Sequence, residues 1–194
     1  MPYRKVSLQP DGYYHLYNRG NNRGDIFFEP ENYSFFLRRL REYLVKQPPA
    51  PVTIVAYCLM PNHFHLIIQP HDDDLSYHMQ MFGISFAKAM NDRYRRVGSL
   101  FQGTFKAKQV DRDEYLLHLS RYIHLNPVRA GLTARPEEWA FSSYREYVGL
   151  RHGTLPQMEI VLGQFATRQA YQEFVDLYLP PDKKRIAHLM LDDD

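Results

Sequence analysis

Apolar residues in this chain recur with two different periods, and the order in which the periods follow each other predicts the elements. The run Gly12-Tyr13-Tyr14-His15-Leu16-Tyr17-Asn18 reads as a first strand, closed by the turn-rich stretch Arg19 to Gly24. Helical spacing follows: Phe36, Leu37, Leu40 and Leu44 form one stripe, with Glu29 and Glu31 where a helix dipole favours acid. This predicts a helix from about Pro30 to Lys46, stopped by Pro48-Pro49. Residues 52 to 59 and His63 to Gln69 are short apolar runs separated by Met60-Pro61-Asn62, which predicts two strands paired as a hairpin. Met79, Phe82, Phe86, Ala89 and Met90 return to helical spacing over Leu75 to Arg96, and Val97-Gly98-Ser99 ends that helix. A fourth strand runs to Val110, with Phe105, Ala107 and Gln109 on one face and Lys106 and Lys108 on the other. Asp111 to Glu114 then opens a helix that Asn126-Pro127 is expected to stop.

The order βαββαβ predicts an α+β fold, a ferredoxin-like sheet with helices on one face, followed by one more helix. Beyond Trp139 the pattern weakens to short helices near 141–145 and 160–179. The expected division is a catalytic-sized unit over residues 1–150 and a C-terminal helical extension over 151–194. At 194 residues and 44% hydrophobic, the chain suits one domain of ordinary size rather than two independent ones.

Composition narrows the class. The single cysteine, Cys58, lies within an apolar strand, so neither a disulfide framework nor a cysteine-type zinc site is available. No apolar stretch approaches the roughly 20 residues that cross a bilayer, and no basic-then-apolar leader opens the sequence. A cytoplasmic protein with no membrane partner is expected. Net charge is only +2, but Arg38, Arg39 and Arg41 cluster in one segment and Arg93, Arg95, Arg96, Lys106 and Lys108 in another. Acid collects instead at Asp72-Asp73-Asp74 and Asp192-Asp193-Asp194, leaving a basic body suited to a polyanion. The 15 tyrosines interleave with these cations, a composition compatible with stacking on unpaired bases.

Two constellations carry candidate chemistry. His63 and His65 flank Phe64 just behind the turn Met60-Pro61-Asn62. Strand alternation sends both imidazoles to one side while Phe64 and Leu66 go to the other, which makes a two-armed clamp for a divalent ion. An isolated pair of this kind is more often a satisfied strand feature, and its place at the mouth of a strand is what raises its interest. On the later helix, at about 100° per residue, Tyr122 and Asn126 share one edge beside an apolar face of Leu116, Leu119 and Ile123. Tyr115 lies two turns earlier on the same stripe. His118 and His124 receive no role.

Five blocks in this order resemble the HUH single-tyrosine transposases of IS200 type, in particular the REP-associated tyrosine transposases. They are His15-Leu16-Tyr17-Asn18-Arg19-Gly20, Met60 to Leu66, Gly98 to Gly103, Arg121 to Gly131, and Trp139 to Tyr144. The resemblance implies that His63 and His65 are metal ligands, with Asn126 the third protein ligand where relatives have Gln or Asn. It implies Mg²⁺ or Mn²⁺ as the cofactor and Tyr122, rather than Tyr115, as the catalytic nucleophile. Single-stranded DNA carrying REP-like hairpins is the implied partner, cut through a 5′-phosphotyrosine intermediate. Arg19, Arg23, Arg95, Arg96, Lys106 and Lys108 are the expected DNA-binding residues. The family works both as monomers and as homodimers, and both states stay open. Two other functions fit the same residues: a non-catalytic nucleic-acid-binding protein, and a metal-dependent phosphohydrolase that activates water.

Overall fold

The structure is a computed structural model that describes residues 8–46, 48–177 and 187–190. Strands β1 (Tyr13–Arg19), β2 (Val52–Met60), β3 (His63–Pro70) and β4 (Lys106–Val110) form one sheet in the order β2-β3-β1-β4. Every pairing is antiparallel. Helix α1 (Pro30–Leu44) joins β1 to β2, and α2 (Leu75–Tyr94) joins β3 to β4. This is the expected βαββαβ arrangement.

Alternation along the strands sorts the residues into two cores. Tyr14, Leu16, Phe64, Leu66 and Ile68 face α1 and α2, where they meet Phe36, Leu40, Phe82 and Phe86. The other face is covered as well. There α3 (Asp113–Arg129) brings Leu116, Leu119, Tyr122 and Ile123 onto Cys58, Met60, Ile67 and Val110. Cys58 is a packing residue, fully buried, its thiol pushed far above the usual range by desolvation.

Helix α3 runs one turn past its expected stop. Pro127 lies inside it, and the end comes where Gly131 adopts φ 69°. A proline in the last turn forfeits a single amide bond, whereas the left-handed conformation at Gly131 closes the helix, with Ala130 N–H donating to the Asn126 carbonyl at 2.9 Å. Asn126 is therefore held by regular helix on both sides.

Three short helices follow: α4 (Tyr144–Tyr147), α5 (Glu159–Leu162) and α6 (Arg168–Asp176). Val161, Tyr171 and Val175 complete the core under α3. The block from Trp139 to Tyr144 seals the exposed edge of β2. Trp139 Nε1 donates to the Leu59 carbonyl at 2.9 Å, Leu59 N–H to the Phe141 carbonyl at 2.9 Å, and Ser143 N–H to the Tyr57 carbonyl at 2.9 Å. Arg121 is buried, donates to the Phe174 carbonyl at 3.0 Å and lies 4.0 Å over the Phe174 ring, which ties α3 to α6. The acidic run 192–194 lies outside the described residues.

The turn before His63 is fixed from outside. Gly20 N–H donates to the Asn62 carbonyl at 2.7 Å, and the amides of Ile26 and Phe27 donate to the Pro61 carbonyl at 2.9 and 3.1 Å. A Cβ built on Gly20 would collide with the Gly24 carbonyl oxygen. Gly20→Ala must therefore push the loop off the hairpin turn, and a loss of at least about 2 kcal/mol is expected in denaturant unfolding.

A buried polar chain stitches the second core. His124, with no exposed surface, bonds Tyr171 Oη through Nδ1 at 2.7 Å and Ser143 Oγ through Nε2 at 2.8 Å. Ser143 Oγ also receives Tyr57 N–H at 2.9 Å, and Tyr171 Oη bonds Ser120 Oγ at 3.1 Å. Desolvation pushes the His124 pKa down to about 3. The unfolded chain takes up that proton near pH 6.5 and the folded one does not, so this contribution to stability is complete above about pH 6.5 and declines towards about pH 3. Unfolding free energy should fall with acid at up to about 1.4 kcal/mol per pH unit from this group, and the slope should flatten in His124→Gln.

Candidate nucleic-acid processing site

The face that carries α3 also carries the histidines. On β3, His63 and His65 point to this side with Ile67; opposite them on β1 stand Arg19 and Tyr17, and on β4 Lys106 is opposite Tyr17 and Lys108 opposite His15. The rings form a cluster. His63 and His65 are 4.9 Å apart between centroids, His65 and Tyr17 6.4 Å, and His65 meets Tyr122 at 5.8 Å with planes at 78°. Tyr122 is fully buried. One turn later on the same helix, Asn126 is 6% exposed. Tyr115 goes elsewhere: it packs against His188 at 5.1 Å, under the Arg112 guanidinium.

Hydrogen bonds orient the first histidine. Asn62 Nδ2 donates to the Arg23 carbonyl at 3.0 Å, which turns Asn62 Oδ1 towards His63 Nδ1 at 2.6 Å. Since an amide oxygen only accepts, His63 Nδ1 carries the proton of this bond, and in the uncharged tautomer that this leaves Nε2 is a lone pair. His65 Nδ1 bonds His15 Nε2 at 2.9 Å. Burial, followed by the charges of His63, His15 and Arg129, holds the His65 pKa well below the ordinary imidazole value. The ring is neutral, as a metal ligand has to be.

Cations ring this cluster. The Lys106 and Lys108 ammonium groups lie 5.9 and 5.6 Å from the Tyr17 centroid, and the exposed Arg129 guanidinium lies 5.1 Å from that of Tyr122. Lys108 also donates to the Met190 carbonyl. Arg19 shares the face and bonds Gln102. Arg23 is exposed in the loop beside the hairpin turn. Arg95 and Arg96, in contrast, follow the end of α2 in the opposite layer, Arg96 lying 5.2 Å from the Phe28 ring. The six expected DNA contacts therefore fall on two sides of the sheet end. A concavity of about 470 Å³ also belongs to the α2 side, between that helix and Gly98 to Phe105.

Two residues of this cluster escape the sequence reading. His15 looks like any strand histidine until β1 and β3 are placed side by side. Arg129 stands seven residues, two helical turns, after Tyr122, a spacing that would have flagged it had the helix been extended past Pro127.

A family model described as "Transposase IS200 like" matches residues 9–126. The chain belongs to the IS200-like transposase family. The matched span contains His15, His63, His65 and Tyr122 and ends on Asn126. The chain is similar to a Haemophilus influenzae protein named as a REP-associated tyrosine transposase, 29% identical over 110 residues that cover 50% of this chain and 62% of the relative. It thus spans less than two thirds of that protein. A REP-associated tyrosine transposase of Escherichia coli K12 is 23% identical over 149 residues, covering 75% of this chain and 84% of the relative. A solved structure of a REP-associated tyrosine transposase bound to a REP hairpin superposes with a TM-score of 0.62 over 83% of this chain and 97% of the other. At 19% identity that likeness establishes a shared fold. Among the described residues no helix is long and apolar enough to cross a membrane.

The depressed His65 pKa has a direct readout. At pH 5.5, where a free imidazole is mostly charged, the His65 side-chain ¹⁵N signals are expected to be those of a neutral ring; a protonated ring would contradict the burial and crowding described above.

Proposed function

We propose that this IS200-like transposase is a metal-dependent single-stranded DNA endonuclease and strand transferase that cuts beside hairpins, with Tyr122 as nucleophile. The observation that carries the reading is the meeting of a sheet histidine pair with a helix tyrosine inside a ring of cations.

The residues fit a hard divalent cation. Among the described residues no three His, Cys, Asp or Glu side chains form a metal cluster, so a third ligand of other chemistry is needed. Asn126 offers one: its Nδ2 is buried without a hydrogen-bond partner among the described residues, and a half-turn of the amide puts Oδ1 there instead. His65 Nε2 is likewise buried and unbonded among them. Two imidazoles and an amide oxygen would hold Mg²⁺ or Mn²⁺ with positions left for phosphate oxygens. Such an ion polarises the scissile phosphate and offsets its developing charge.

The rest is the work of the chain. Arg129, Lys106, Lys108 and Arg19 seat the phosphates along the histidine face, and Arg23 extends the track at the hairpin turn. Arg129 lies over the Tyr122 ring, so drawing it to a phosphate uncovers the phenol. Tyr122 Oη then bonds phosphorus as the bond to the 3′ oxygen breaks, giving a 5′-phosphotyrosine and a free 3′-hydroxyl. The phenol proton passes to water or a phosphate oxygen, and the leaving 3′ oxygen takes up a proton from water, so that no net proton is gained or lost. Attack by a 3′-hydroxyl reverses the step or joins a new end. Arg95 and Arg96, on the opposite layer, would hold a flanking duplex rather than the strand being cut.

A labelled single strand carrying a REP-like hairpin, incubated with Mn²⁺, should give a covalent adduct on a denaturing gel. Tyr122→Phe should abolish it and His63→Ala should lower it at least about 100-fold. Cleavage that survives in Tyr122→Phe but not in His63→Ala would point to activated water instead. Binding without cleavage in the wild type would leave a nucleic-acid-binding protein.

A further inference from the structure

We propose that His15 is a positioning residue: it fixes His65 as the tautomer protonated on Nδ1, which leaves the Nε2 lone pair facing the site. This rests on reading His65 as a ligand. His15 sits in the middle of β1, fully buried, and no role in the chemistry above falls to it. Its cross-strand partner is Ile67, yet its ring reaches the diagonal neighbour, with His15 Nε2 2.9 Å from His65 Nδ1 and the two rings at 22°.

One proton occupies that bond, and only two arrangements exist for neutral rings. If His15 donated, the His65 proton would sit on Nε2, where the buried atom has no hydrogen-bond partner among the described residues. A buried N–H without an acceptor is the rarer and less stable of the two kinds of orphan. It would also point a proton at the place a cation would occupy. If His65 donates from Nδ1, His15 Nε2 accepts and the lone pair of His65 Nε2 is presented instead. His63 reaches the same tautomer through Asn62 Oδ1, so two different acceptors impose one orientation on both rings of the pair.

The test begins with the wild-type protein free of metal, in which long-range ¹H–¹⁵N correlation of the imidazoles assigns the His65 tautomer. The Nδ1–H form is expected, and an Nε2–H form overturns the proposal whatever the protein's activity. His15→Leu removes the acceptor, and His15→Gln places an amide oxygen at similar reach. The leucine variant is expected to show a mixed or Nε2–H tautomer and to bind Mn²⁺, titrated alone by electron paramagnetic resonance, about 10- to 100-fold more weakly. The glutamine variant should keep the Nδ1–H form and bind within about threefold of wild type, a rescue that loss of packing would not produce. A folded His15→Leu with unchanged tautomer and unchanged Mn²⁺ affinity overturns the proposal. Wild type that holds the Nδ1–H form but binds no Mn²⁺ overturns the metal reading and leaves the hold of His15 on the ring standing.

Discussion

Everything at this site depends on the parity of β3. Phe64, Leu66 and Ile68 are claimed by the core beneath α1 and α2, so His63 and His65 are driven to the opposite face. A slip of one residue would bury both imidazoles among phenylalanines and expose the apolar triplet. The turn at Pro61-Asn62 starts the strand at the right residue, and the loop from Gly20 to Phe27 holds that turn through backbone bonds to both of its carbonyls. Asn62 joins the two tasks, since its amide anchors to Arg23 and its oxygen orients His63.

With parity settled, the second face becomes an unusual core. It buries His15, His65 and His124 together with Tyr17, Tyr122 and Tyr171. Polar rings in such a place are stable only when their nitrogens and hydroxyls find partners. His124 is fully satisfied by Tyr171 and Ser143, and its job is to fasten α3 and α6 to the sheet. Among the described residues His65 is satisfied on one side alone. Near-identical chemistry thus serves two ends: a closed chain of hydrogen bonds that fixes the helix, and an open one left at the site.

Topology accounts for the convergence. The end of β1, the start of β3 and β4 and the end of α3 all fall at the same end of the sheet, because each helix returns the chain against the strand before it. Tyr122 therefore arrives beside His65, Asn126 follows it one turn later on α3, and the basic side chains of β1 and β4 share that face, while Arg95 and Arg96 follow the end of α2 in the other layer.

The sequence by itself determined the elements and the facing of the side chains, since both follow from local periodicity: pleat puts His63 and His65 on one side, and the 3.6-residue turn puts Tyr122 and Asn126 on one edge. The hairpin of β2 and β3 was legible for the same reason, in that a two-residue turn leaves the strands no other partner so close. Only the tertiary structure decided which tyrosine meets the histidines, that α3 continues through Pro127 to Gly131, that His15 holds His65, and that Arg129 covers Tyr122. Those are contacts between residues 50 to 57 positions apart, or beyond a helix breaker. They are set by strand order and by the packing of α3 on the sheet, and no local pattern encodes either.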